Sequence, residues 1–190
     1  IVYIGNLGTG TWIHEGGTSS FDDTVALGNN ATGAGKLELI SGSMTGMTEM
    51  RVGNNGAGEV LMTGGTLTVA GILDIAREAG SSGHVQLDGG VIEADQLRMD
   101  NSGDAVSATI DITGDGTLSI ADDDGSDAEA ITDYVANGLI TASESRHFVS
   151  VQWNGTDTTT VSAAEYAPGM AADPDPAVGA TVSGPEVSLN

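Results

Sequence analysis

Between Arg51 and Ala76 the chain reads RVGNNGAGEVLMTGGTLTVAGILDIA. Its apolar residues fall in alternating pairs, Val60 with Met62, Leu67 with Val69, and Leu73 with Ile75, and Gly64-Gly65 and Ala70-Gly71 stand between the pairs. Successive side chains of a strand point to opposite faces, so this spacing predicts three short strands, each with one buried face, joined by two corners. Gly53-Asn54-Asn55-Gly56 supplies a third corner ahead of the first strand. Gly and Asn adopt a positive φ cheaply, and stacked Asn amides can hydrogen-bond from one coil to the next. Such a unit is one turn of a three-sided β-solenoid.

The same unit recurs on both sides of this stretch. The second inward residue of the third strand returns at Ile4, Leu27, Val52, Ile75, Met99 and Ile120, at intervals of 21 to 25 residues. The corner after the first strand returns at Gly17, Gly42, Gly65, Gly90 and Asp115, 23 to 25 residues apart. Two anchors with a common period predict an all-β fold: a right-handed parallel β-solenoid of about five coils over residues 1–121. In the first coil Trp12, His14, Phe21, Val25 and Leu27 point inward, and the second is the least regular because Gly46 falls where Val69 stands in the third. The fifth has Ile110, Ile112, Leu118 and Ile120 and breaks off at Asp122-Asp123-Asp124.

The outward residues ahead of the third-strand anchor run Tyr3, Ala26, Arg51, Asp74, Arg98. This predicts an exposed column of alternating charge in which Arg51 and Arg98 flank Asp74. An exposed pair contributes only about 0–1 kcal/mol, so the column is read first as a register-setting surface bridge and second as a substrate-binding patch.

After the repeats the period changes. SDAEAITDYVANG places Ile131, Tyr134 and Val135 at helical spacing, with Ser126 and Glu129 as a capping box and Gly138 as the stop. The expectation is a helix over Ser126–Asn137 that plugs the far end of the stack. His147–Trp153 alternates, Asn154-Gly155 makes a turn, and Thr158–Val161 returns, which predicts a hairpin beside the helix. Residues 122–166 thus form a cap. The tail, 167–190, holds all four prolines and is expected to lie extended on its own or a neighbouring subunit through Val182, Val187 or Leu189. With the open strand edge of Ile1, Val2, Tyr3 and Ile4, those residues make up the expected assembly surface.

Composition narrows the partners. Lys and Arg number 5 against 27 Asp and Glu, a net charge of −22, which excludes nucleic acid and anionic headgroups and favours divalent cations or cationic surfaces. With 39% hydrophobic residues and 29 glycines the chain is too apolar for a disordered acidic segment. It lacks cysteine, so disulfides and thiolate metal sites are excluded. No apolar run approaches the ~20 residues of a membrane span. The opening at Ile1 rather than Met is expected of a precursor whose export signal was removed, or of a trimmed chain.

The cadence of LELISGSMTGMTEMRVGNNGAGEVLMTGGTLTVAGILDIA (Leu37–Ala76), followed by ITDYVANGLITA (Ile131–Ala142) and a Trp/Asn-Gly/Thr-rich hairpin, resembles exported bacterial β-solenoid proteins of the PEP-CTERM-type and autotransporter-like surface class. The resemblance covers Ile4 to about Ala163. It implies export to the surface or exterior and a structural or binding role. The Pro-Glu-Pro sorting tail of that class has no counterpart here beyond Pro185-Glu186, so membrane anchoring is not implied.

Chemistry-bearing residues are sparse. Asp122, Asp124, Ser126 and Asp127 around Gly125 form an oxygen-rich loop of the kind that holds Ca²⁺, although the bidentate Glu of an EF-hand is missing; a solvated acidic helix start is the competing reading. His14, His84 and His147 fall on different parts of the repeat and do not suit a shared metal. Asn30 and Asn154 match the glycosylation acceptor pattern, and each also suits a plain turn. Lys36, Arg77 and Arg146 lie at corners or in the cap without a set of carboxylates beside them, so no catalytic residue is assigned and no cofactor beyond Ca²⁺ is expected. The expectation is a non-enzymatic extracellular protein, the homopolymerising subunit of a fibre or surface layer. A surface adhesin or module binding a polysaccharide is the alternative, and a polysaccharide lyase or hydrolase the second.

Overall fold

The computed structural model describes residues 1–99, 107–122, 125–166 and 181–182. These are mostly strands with one short helix, wound as the stacked coils of a β-solenoid of about four turns. The opening coils contain β1 (Val2–Ile4), β2 (Thr9–His14), β3 (Thr18–Ser20), β4 (Val25–Leu27), β5 (Ala34–Leu39) and β6 (Ser43–Val52). The long strands β7 (Ala57–Ile75) and β8 (Ser82–Met99) each run through their own corners. They are followed by β9 (Ser107–Ile112), β10 (Thr117–Ala121), α1 (Ser126–Ala136), β11 (Ile140–Thr141), β12 (His147–Trp153), β13 (Thr158–Glu165) and β14 (Thr181–Val182).

Parallel pairing carries the period that the sequence displays. One series runs from Leu37 to Val60, Val85 and Ile110. Another runs through Met44, Leu67, Ile92 and Leu118, and a third through Ile4, Leu27, Val52, Ile75 and Met99. Every residue named is buried and belongs to one core. Burying a Leu, Ile or Met side chain stabilises by about 1.5–3 kcal/mol, and here each is covered by its equivalents on the adjacent rungs.

At the corner after the third series Gly5, Gly28 and Gly53 have φ of 69°, 62° and 79°, and Ala76 takes the same left-handed backbone at 56°. The Asn beside them form the expected ladder: Asn29 Nδ2 donates to Asn6 Oδ1 at 2.8 Å, and Asn54 Nδ2 to Asn29 Oδ1 at 2.9 Å.

Three details depart from the sequence-based expectation. Ile120 does not continue the column of Met99; it pairs with Ala94 in the Leu67 series, because the fifth repeat supplies only β9 and β10. The turn expected at Asp115 is made by Gly114, whose φ is 55°. In the second coil Gly46 does not occupy the inward slot. Thr45 and Gly46 bulge opposite Thr68 alone, and Met47 swings in beside Val69 with no exposed surface.

Beyond β10 the stack continues in other ways. β11 pairs in parallel with β9, and β13 pairs antiparallel with β10 and then with β12. Ala128, Ile131 and Val135 of α1 and Val149, Val151 and Val161 of the hairpin share the same core. The helix stops as predicted: Gly138 has φ 71°, its N–H reaches Val135 O, and Leu139 N–H reaches Tyr134 O, the two bonds of a Schellman motif. Its start differs from the expected Ser126/Glu129 box. The N-cap is Gly125 with a left-handed backbone, and the acceptor comes from Asp122.

Candidate functional site

The first rung is the least satisfied part of the molecule. β1, β2 and β3 pair on one edge each, with β4, β5 and β6, and among the described residues no strand lies on the other edge. Such an edge presents a row of unpaired N–H and C=O groups. Four of the five exposed large apolar side chains among the described residues stand on this rung: Ile1 (59% exposed), Tyr3 (46%), Leu7 (71%) and Ile13 (54%). Just inside, Val2, Trp12 and Phe21 are half-buried against the core, and the two rings meet edge to face with centroids 5.6 Å apart. His14 is buried beside them and shares a hydrogen bond with Ser19 Oγ through Nδ1 at 3.3 Å.

Of the residues expected at an assembly surface, Ile1 and Tyr3 are exposed, Val2 is half-buried and Ile4 belongs to the core. Val182 pairs with Val151 of its own hairpin, β14 lying parallel to β12. Val187 and Leu189 lie outside the described residues. Leu7 and Ile13 were legible but unread: each is apolar at a position that the repeat assigns to a corner or an outward slot.

A second cluster lies two and three rungs along. Arg51, Asp74 and Arg98 are partners in register as expected, yet Asp74 is not on an exposed face. Its side chain has no accessible surface. Arg51 turns instead to Glu49, Nη2 to Oε2 at 2.6 Å, and Arg77 Nη1 takes the other Glu49 oxygen at 2.5 Å. Arg77 Nη1 is also 3.7 Å from Asp74 Oδ2, but neither Asp74 oxygen receives a hydrogen bond. Three of the five basic residues thus gather around two carboxylates. Burial pushes Asp74 above its ordinary pKa despite Arg77. At Glu49 burial pushes the same way, but Arg51 and Arg77 together hold it below. With Asp74 fully covered, the arrangement is an internal ion network rather than an open substrate site.

Asp122 is buried and its carboxylate is engaged within the chain. Oδ1 accepts from Gly125 N–H at 2.7 Å, and Oδ2 accepts from Ala128 N–H at 3.1 Å and Thr159 Oγ1 at 2.6 Å. Its carbonyl accepts from Trp153 Nε1 at 3.1 Å. It therefore ties α1 to the hairpin. Asp124 lies outside the described residues, and Ser126 and Asp127 open α1. Among the described residues no three His, Cys, Asp or Glu side chains gather closely enough to hold a metal ion. His14, His84 and His147 have separate partners, Ser19, Thr109 and Glu144.

No protein-family model matches the chain, and neither a curated protein nor a solved structure does. The chemistry of its own residues is what remains. At the two acceptor motifs the amides are occupied: Asn30 Nδ2 donates to both Asn6 O and Asn6 Oδ1, at 3.0 and 2.7 Å. Asn154 Oδ1 accepts from the N–H of Thr156, Asp157 and Thr158, and its Nδ2 donates to Asp157. Both residues are structural elements of their turns.

Proposed function

We propose that the protein is an extracellular structural subunit, a right-handed three-sided solenoid closed at one end by α1 and the β12–β13 hairpin, that builds a fibre or surface layer through the edge of its first rung. The observation that carries this reading is the coincidence, on one rung, of strand edges without partners among the described residues and of Ile1, Tyr3, Leu7 and Ile13 exposed. Pairing another coil there would satisfy backbone groups and cover apolar surface together, as every internal rung already does. The reading of export rests on the likeness of the repeat cadence to exported surface proteins. The net charge of −22 opposes contact between copies and makes association sensitive to salt and to divalent cations.

Sedimentation velocity and electron microscopy of the purified chain, at low and moderate ionic strength, test the proposal. The expected outcome is species that grow with concentration and salt, and that vanish in the Leu7→Lys/Ile13→Lys variant. Discrete monomers at every concentration, or a closed dimer that does not extend, would overturn it.

A further inference from the structure

The wall of the solenoid is dented near the end of the Leu67 series. The inward column there runs Met47, Val69, Ala94, Ile120, and Ala94 is the smallest of the four. Beside it β7 has two residues, Ala70 and Gly71, where β8 has Asp95 alone, so the register slips by one. A bulge of this kind bends the strand and re-aims its side chains. The outcome is an open groove of about 270 Å³. The backbone at Val69 and Ala94 and the outward methyls of Ala70 and Ala121 form its floor. Thr68, Glu93, Asp95, Ser119 and, from the hairpin, Thr158 form its walls.

Thr68, Glu93 and Ser119 are outward partners on three consecutive rungs, about 4.8 Å from one to the next. Thr68 Oγ1 donates to Glu93 Oε2 at 3.0 Å. Glu93 and Asp95 are both exposed. The groove therefore offers two carboxylates that only accept, three hydroxyls that accept and donate, and an apolar floor.

We infer that this groove binds a neutral oligosaccharide, one or two rings of a chain lying across the rungs. Sugar hydroxyls donate to Glu93 and Asp95 and exchange hydrogen bonds with Thr68, Ser119 and Thr158, while the C–H face of a ring rests on Ala70 and Ala121. An anionic sugar is repelled by both carboxylates and by the charge of the whole chain. A calcium ion takes about 6–8 oxygens, and two carboxylates, one of them already hydrogen-bonded, do not provide that shell. The volume is near the lower end of the ~300–1,000 Å³ of small-molecule pockets, which suits part of a longer ligand rather than a whole one. This inference stands apart from the assembly reading, since the groove is remote from the first rung in the order of pairing.

The test is titration of the full chain with cellohexaose, mannohexaose, a galacturonate trimer and CaCl₂, followed by amide chemical shifts and calorimetry. Expected are shifts centred on Thr68, Ala94 and Ser119 with at least one neutral hexasaccharide, and an affinity reduced about tenfold or more in Glu93→Gln/Asp95→Asn and in Ala121→Leu. Ala121→Leu fills the floor and leaves the carboxylates, and unchanged far-ultraviolet dichroism shows that each variant is folded. Absence of shifts with either neutral hexasaccharide up to about 10 mM overturns the inference. So does preferential binding of the galacturonate, a Ca²⁺ response at the same residues, or unchanged affinity in the variants.

Discussion

Leu67 and Ile92 are direct partners on adjacent rungs, and neither has more than 1% of its surface exposed. Each side chain is the other's wall. Truncating Leu67 to Ala opens a cavity that two rungs line, and the stiff pairing on both sides limits collapse into it. The expected loss is about 2–5 kcal/mol in urea unfolding. Thr68→Ala, one residue away on the outer face, is expected to change stability by no more than about 0.5 kcal/mol. Equal effects would mean that the two faces are not distinguished as the pairing requires.

Much of this was legible from the spacing of apolar residues. Val60, Met62, Leu67, Val69, Leu73 and Ile75 are all buried, and the Gly138 stop needed no tertiary information. Two of the departures share one cause, the local loss of the two-residue period. The bulge at Thr45-Gly46 hid Met47, and the short fifth repeat shifted Ile120 to another column. Burial of Asp74 was hidden for a different reason. Alternation assigns a side chain to the outer face, but whether neighbours cover it depends on their length and rotamer. The groove beside Ala94 was equally silent, because a small residue inside a regular repeat reads as core.

Gly53 and Ala76 separate backbone conformation from space. Ala76 shows that an alanine can hold the left-handed corner, at a cost of about 1–2 kcal/mol. A Cβ on Gly53, by contrast, would collide with the Ser82 carbonyl of the next rung. Gly53→Ala is therefore expected to lose about 3–5 kcal/mol. Gly80→Ala, with φ of 78° and no atom within 4 Å of the added carbon, is expected to lose only about 1 kcal/mol. Thermal melting of the two variants reads the difference, and similar losses would show that conformation rather than collision governs the corner.

Asp122 ties α1 to β13, and its removal leaves the buried Thr159 hydroxyl and the Ala128 N–H without their acceptor. Asp122→Ala is expected to cost about 2–4 kcal/mol. Burial raises its pKa, but the bonds from Thr159, Gly125, Ala128 and Asp127 together hold it below 3.8. Because the folded value lies below the unfolded one, this contribution is complete above that pH and is lost as pH falls through the lower folded value. Melting temperatures of wild type and variant should thus converge only in strong acid. Convergence already near neutral pH would contradict a depressed carboxyl.

Glu49 and Asp74 share the Arg77 guanidinium, and burial raises both carboxyls while Arg77 lowers both, but Glu49 ends below its ordinary pKa and Asp74 above it. Their amide variants should part accordingly. Glu49→Gln removes the shared negative charge and turns one of the two acceptor oxygens into a donor facing a guanidinium, and about 1–3 kcal/mol of stability is expected to go with it. Asp74 is raised above 3.8, first by burial and then by Glu49, against the attraction of Arg77, Arg98 and Arg51. Its folded form therefore holds the proton more tightly than the unfolded chain. Stability falls as pH rises from 3.8 through the raised value, and at neutral pH the charged carboxylate is a net cost. Asp74→Asn is expected to match or exceed wild type at pH 7, by up to about 1 kcal/mol, and to lose that advantage below about pH 4. Urea unfolding at the two pH values decides it. A loss above about 1 kcal/mol at pH 7 would mean that the Arg77 attraction outweighs burial after all.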